Sequence, residues 1–127
     1  MTCILIAEDT ATQRLLLRRL CESIVTDPHV IAAKDTQDAI DAYQGYLADY
    51  DRPPDLVITG LSMPVKEGTP LADEAGLILT RVIHKTHHEV PILVLTAIAN
   101  PELLQRCREV GAADCLQKEN FMAHISL

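Results

Sequence analysis

Five short aliphatic runs, each followed by a stretch with helical spacing, leave this chain few folds to choose from. The runs are Cys3-Ile4-Leu5-Ile6-Ala7, the weaker His29 to Ala33, Asp55-Leu56-Val57-Ile58-Thr59, Pro91-Ile92-Leu93-Val94-Leu95 and Ala113 to Gln117. Apolar runs without polar alternation suit strands buried on both faces. Between the first two, Thr10 to Val25 carries Leu16, Leu20 and Ile24 as an apolar stripe among Arg14, Arg18, Arg19 and Glu22, with Thr10 or Thr12 as cap. Asp35 or Thr36 opens a second helix through Ala39, Ile40, Tyr43 and Leu47, which Asp51-Arg52-Pro53-Pro54 breaks because proline lacks the helical donor. Pro64 to Gly76 reads as a long loop running into a helix over Leu77 to Lys85. Asn100-Pro101, a cap followed by first-turn proline, opens a helix with Leu103, Leu104, Cys107 and Val110 inward and Gly111 as terminator. A short last helix is expected over Asn120 to Leu127. Such alternation builds a parallel sheet with helices on both faces, a three-layer α/β sandwich. The 127 residues suffice for one domain spanning 1–127.

Composition removes several function classes. A net charge of -7 repels phosphate backbones, so direct nucleic-acid binding is not expected. Aromatic residues make up 3%, too few for the stacking platforms of single-strand binders. The apolar start is cut off by Glu8 and Asp9, too soon for a signal peptide or membrane span, so a cytoplasmic protein without membrane contact is expected. Cys3, Cys21, Cys107 and Cys115 lack metal-site spacing and read as reduced packing thiols.

In an open parallel sheet, ligands bind beyond the carboxyl ends of the strands. Glu8 and Asp9, Thr59 to Ser62, Thr96 and Ala97, and Lys118 and Glu119 stand there. Paired acids suit a hard cation such as Mg2+, and hydroxyl and ammonium groups suit phosphoryl oxygens.

These residues, with Leu61-Ser62-Met63-Pro64, resemble the response-regulator receiver (CheY-like) family over essentially the whole chain. The resemblance implies a flavodoxin-like fold with strand order 2-1-3-4-5 and phosphotransfer from a histidine kinase to an aspartate beside Mg2+. It makes Glu8 and Asp9 the metal-binding acids, Thr96 the switch hydroxyl and Lys118 the phosphate-contacting lysine. The position of the family's acceptor aspartate is Gly60, which has no nucleophile. Cys115 stands where an aromatic switch residue is usual, and Glu119 where proline is usual, so a cis bond costing about 2.5–4 kcal/mol is not expected after Lys118.

The chain is therefore expected to be a pseudo-receiver: a protein-protein interaction module rather than an enzyme, partnered by a histidine kinase or an output protein. Glu8 and Asp9 lack a third ligand, which favours an ion pair with Lys118 over Mg2+ and leaves at most weak metal binding. A different reading keeps phosphotransfer through a substitute nucleophile at Thr59 or Ser62, or through Glu67, Asp73 or Glu74 folded back from the long loop. A flavodoxin-like small-molecule site ranks last, because no glycine-rich phosphate loop follows the first strand. His84, His87 and His88 are ordinary cations at a helix C-terminus rather than a metal site. Phe121, Met122 and Ile125 on so short a last helix raise the expectation of a homodimer completing the cover of the sheet.

Overall fold

The computed structural model describes residues 1–123. In chain order the elements are β1 (Thr2–Ala7), α1 (Ala11–Ile24), β2 (Pro28–Ala33), α2 (Thr36–Tyr50), β3 (Leu56–Gly60), β4 (Met63–Pro64) and β5 (Leu71–Ala72). They continue as α3 (Ala75–Thr86), β6 (Ile92–Thr96), α4 (Pro101–Glu109), β7 (Asp114–Gln117) and α5 (Lys118–Ala123). The main sheet has strand order β2-β1-β3-β6-β7, all neighbours parallel. Counted over the main strands alone this is 2-1-3-4-5, the doubly wound CheY-like order expected from the sequence.

Cys3 through Ala7 are buried without exception, as a central strand covered on both faces must be. Pleating then sorts the side chains by parity. Leu5 and Ala7 join Tyr43, Val57, Leu79 and Ile83 beneath α2 and α3. Ile4 and Ile6 join Leu17, Cys21, Ile58 and Leu95 on the other face, where Phe121 of α5 also packs. A further cluster of Leu61, Leu77, Val94, Leu103, Cys107 and Cys115 lies under α4. All four cysteines are free and buried, and burial beside Cys115 pushes the Cys107 thiol up to about 12. These are inert packing groups.

Two expectations need correction. The inward stripe of α1 is Leu17 and Cys21, whereas Leu16 and Ile24 are 37% and 72% exposed. Leu15-Leu16-Leu17 offers three candidate faces, and one residue of helical rotation (about 100°) decides among them. Thr10 holds the N-cap position without a side-chain cap bond. The stretch after Pro64 is also no plain loop. Met63–Pro64 pairs antiparallel with Leu71–Ala72, closing a hairpin whose turn uses Gly68 at φ 82°. The Thr69 hydroxyl donates to Lys66 O at 2.7 Å inside that turn. The Gln37 N–H donates to Val65 O at 2.7 Å, which docks the ribbon on the start of α2.

Other local signals hold. Asp35 caps α2 by accepting from Asp38 N at 2.7 Å, and Asn100 caps α4 by accepting from Leu103 N at 2.9 Å. Each such cap is worth about 1 kcal/mol. Gly111 takes φ 107° after α4, with the His84 ring packed where a side chain would go. The last helix begins at Lys118, directly on β7, and the Lys118–Glu119 peptide is trans. The expectations for Ile125 and for the Met122 side chain lie outside the described residues.

The three tyrosines of the chain all lie on α2. Tyr46 and Tyr50 stack at 4.6 Å between centroids, and His29, beside Cys3 in the β1–β2 register, stands 6.0 Å from each. This ring cluster marks the starting end of the strands, opposite the edge where the chemistry-bearing residues gather.

Candidate functional site

Parallel register carries the strand ends to one edge: Ala7 lies beside Thr59, Gly60 beside Leu95, and Thr96 beside Gln117. The residue after β1, Glu8, keeps its backbone N–H on Ala33 O at 3.0 Å, and its side chain is completely buried. Its Oε2 stands 2.9 Å from the point where a Cβ on residue 60 would lie. The same oxygen stands 2.9 Å from Lys118 Nζ. A glutamate, longer than an aspartate by one methylene, thus reaches over the bare backbone of Gly60 and meets the lysine there.

The pairing is ionic more than directional. Lys118 directs its hydrogen bond to Gln13 Oε1 at 3.0 Å, and Glu8 Oε2 has a charge neighbour without an aligned donor. Glu8 Oε1 accepts only a long bond from Thr10 N–H, 3.3 Å. Burial raises the Glu8 pKa, and the Asp9 carboxyl beside it raises it further. Lys118 and the Thr10 N–H pull the other way without cancelling the rise. Asp9 leans toward the hairpin side, lining a hollow with Lys34, Asp35, Pro64 and Glu67.

Thr96 is buried and engaged locally, donating to Ile98 O at 3.1 Å and accepting from Ile98 N at 3.3 Å. With Leu61, Ser62, Ile98 and Lys118 it lines an open cleft of about 240 Å³. The candidate substitute acceptors are mostly occupied elsewhere. Thr59 donates to Gly60 O at 2.9 Å in a buried setting. Glu67 pairs with Lys34 at 3.2 Å, and Glu74 pairs with Arg106 at 2.7 Å. Ser62 and Asp73 are exposed, and the Ser62 hydroxyl lies 3.5 Å from Asp73 O. The three histidines do not converge: His87 Nδ1 is hydrogen-bonded to the Tyr43 hydroxyl, while His84 packs on Gly111.

Three contributors went unread in the sequence. Arg14 Nη1 donates to the carbonyls of Glu8 at 2.7 Å and Asp9 at 3.0 Å, clamping the turn after β1. Gln13 holds Lys118 from the same helical turn. Their signal was position: the first turn of a helix that follows a strand faces the strand ends. Gly76 is the third. A Cβ there would lie 2.1 Å from Gly60 O, and its N–H donates to Leu61 O at 2.8 Å. The start of α3 therefore presses backbone to backbone on Gly60.

The residues do not fit the divalent cation that the fold implies. Such ions take six or more oxygen ligands, water among them, and need their carboxylates open to that shell. Here one acid is fully buried against an ammonium, and among the described residues no group of three His, Cys, Asp or Glu side chains is placed to hold a metal. Among those residues, too, no helix is long and apolar enough to cross a membrane.

Residues 4–126 match the response regulator receiver domain family. The transcriptional regulatory protein PdtaR of Mycobacterium tuberculosis is 35% identical over 117 residues, which are 91% of this chain and 48% of that protein. The chain thus spans about half the length of the curated relatives it matches. Among solved structures, the chemotaxis response regulator CheY4 of Vibrio cholerae aligns with TM-score 0.74 and 21% identity over 98% of each chain. The Mn(2+)-bound form of response regulator Rcp1 aligns with TM-score 0.72 and 19% identity, covering 98% of this chain and 89% of that one.

Proposed function

The chain belongs to the response regulator receiver family, and from that premise we propose that it works in two-component signalling as a pseudo-receiver, a docking module that accepts no phosphoryl group. One observation carries this reading: the acceptor position is Gly60, and the Glu8 carboxylate lies over it, paired to Lys118. Acyl phosphate formation needs a carboxylate oxygen held in line with the incoming phosphorus and a cation to shield the approach. Gly60 offers no atom for the first task. Among the described residues, the cation paired with the Glu8 carboxylate is an ammonium already committed to Glu8 and Gln13, and the Arg14 guanidinium is spent on the Glu8 and Asp9 backbone carbonyls. Output is then set by partners rather than by covalent modification, and the chain is not an enzyme.

The partners of this reading are signalling proteins inside the cell, a histidine kinase or an output protein, with a second copy of the chain as an alternative. The net charge of -7 argues against direct nucleic-acid contact. The relative PdtaR is a transcriptional regulator as a whole protein, so any such role here belongs to the surrounding assembly rather than to this domain's own surface.

Incubation with acetyl phosphate or phosphoramidate and Mg2+, followed by intact mass, tests the proposal. No adduct is expected. A stoichiometric adduct would refute it, and peptide mapping to Thr59, to Ser62 or to the long loop with Glu67, Asp73 and Glu74 would then identify the substitute acceptor.

A further inference from the structure

We infer that Glu8, and not the loss at position 60 alone, closes the acceptor pocket: its carboxylate fills the vacated volume with Lys118 as resident cation, so restoring an aspartate at position 60 does not by itself restore a divalent-cation site. This inference rests on the pseudo-receiver reading and deepens it.

The walls of the pocket explain why. An aspartate at 60 would begin with a Cβ 2.9 Å from Glu8 Oε2, and its own carboxylate would extend further into the same space. Two carboxylates would then crowd the space that now holds one, beside a single ammonium 2.9 Å from the first. Neither backbone wall yields easily. On one side Glu8 is held through its N–H by Ala33 O and through its carbonyl by Arg14 at 2.7 Å. On the other, Leu61 N–H is bonded to Leu95 O at 2.8 Å, and Gly76 of α3 abuts Gly60 O. The movable part is the Glu8 side chain. Shortening it to aspartate withdraws the carboxylate by about 1.5 Å, the length of the removed bond. That clears room beside position 60 and releases Lys118. Glycine at 60 and glutamate at 8 thus form a matched pair, each accommodating the other.

The test compares wild type, Gly60→Asp, Glu8→Asp and the double variant by calorimetric titration with MgCl2 and by the Mg2+-dependent shift of the thermal midpoint, with NaCl at equal ionic strength as control. The double variant is expected to bind Mg2+ at least about tenfold more tightly than Gly60→Asp alone, a gap of about 1.4 kcal/mol. Equal Mg2+ affinity in Gly60→Asp and the double variant would overturn the inference. Should either aspartate-60 protein fail to fold, Gly60→Ser with and without Glu8→Asp makes the same comparison by stability. Rescue by Glu8→Asp supports the matched pair, and equal losses in both backgrounds refute it. Acetyl phosphate treatment of wild type runs alongside. A wild-type adduct defeats the pseudo-receiver reading itself, whereas a double variant indifferent to Mg2+ beside an unmodified wild type defeats only the inference.

Discussion

Replacing Gly60 by alanine adds one methyl group, and its surroundings set the consequence. The new carbon would lie 2.9 Å from Glu8 Oε2 and 3.5 Å from its carboxyl carbon, so the acid must shift. Moving it disturbs a buried pair whose other member is only 2.9 Å away. Overpacking of this kind costs about 1–3 kcal/mol. Against that, alanine removes freedom from the unfolded chain, a gain of about 0.4–1 kcal/mol where the backbone angles are tolerated. The net expectation is a loss of about 0–2.6 kcal/mol, a fall of up to about 10 °C in thermal midpoint for a domain of this size. Gly45 is the internal control. It lies mid-helix on α2 with nothing within 4 Å of its hypothetical Cβ. Gly45→Ala should therefore stabilise by about 0.5–1 kcal/mol through helix propensity. One chemical change at two sites is expected to act with opposite signs, read by urea unfolding under far-UV circular dichroism. A Gly60→Ala protein more stable than wild type would mean that Glu8 does not stand over position 60.

The rotation of α1 predicts that Leu17→Ala costs about 2–5 kcal/mol while Leu16→Ala stays under about 1 kcal/mol; comparable losses in urea unfolding would return the stripe to the Leu16 face. The Glu8 pKa is raised above 4.5 by burial and then by Asp9, so between 4.5 and the folded-state value the native protein keeps a proton that the unfolded chain has released. That group's contribution to stability is therefore fully present below 4.5, falls as pH rises through the window, and levels off above it. Glu8→Gln cannot titrate, so its stability relative to wild type should climb as pH rises from 4.5, measured by urea unfolding at a series of pH values; a flat or descending difference contradicts the burial argument.

The sheet was legible because its strands are continuous apolar runs of the right length; their alternation with helices made it parallel, and the strand order came from the family resemblance. The caps at Asp35 and Asn100 were legible for a local reason, since the donors they satisfy sit three residues away. Sequence spacing failed where tertiary contact decides. Three consecutive leucines leave α1 free to choose its face, and the sheet rather than the helix makes the choice. The hairpin was hidden because each of its strands spans only two residues, too short for any alternation to register. At the site, the glycine at position 60 was visible as a letter, and the coming together of Glu8, Thr96 and Lys118 followed from topology. The reach of Glu8 across position 60 was not, because it depends on the length of one side chain measured against the gap between β1 and β3. Gly76 was invisible for the same reason: only the docking of α3 shows that two residues without side chains touch.

The gathering of every tyrosine on α2, in a chain without tryptophan, has a practical consequence. Near-ultraviolet absorption and intrinsic emission report almost wholly on one helix at the strand-start end. An event at Glu8 and Lys118 is optically silent unless it travels the length of the sheet, and local fraying of α2 would pass for global unfolding. A partner that docks at the strand tips will escape notice by its host's own light, whereas one that grips α2 will announce itself at once.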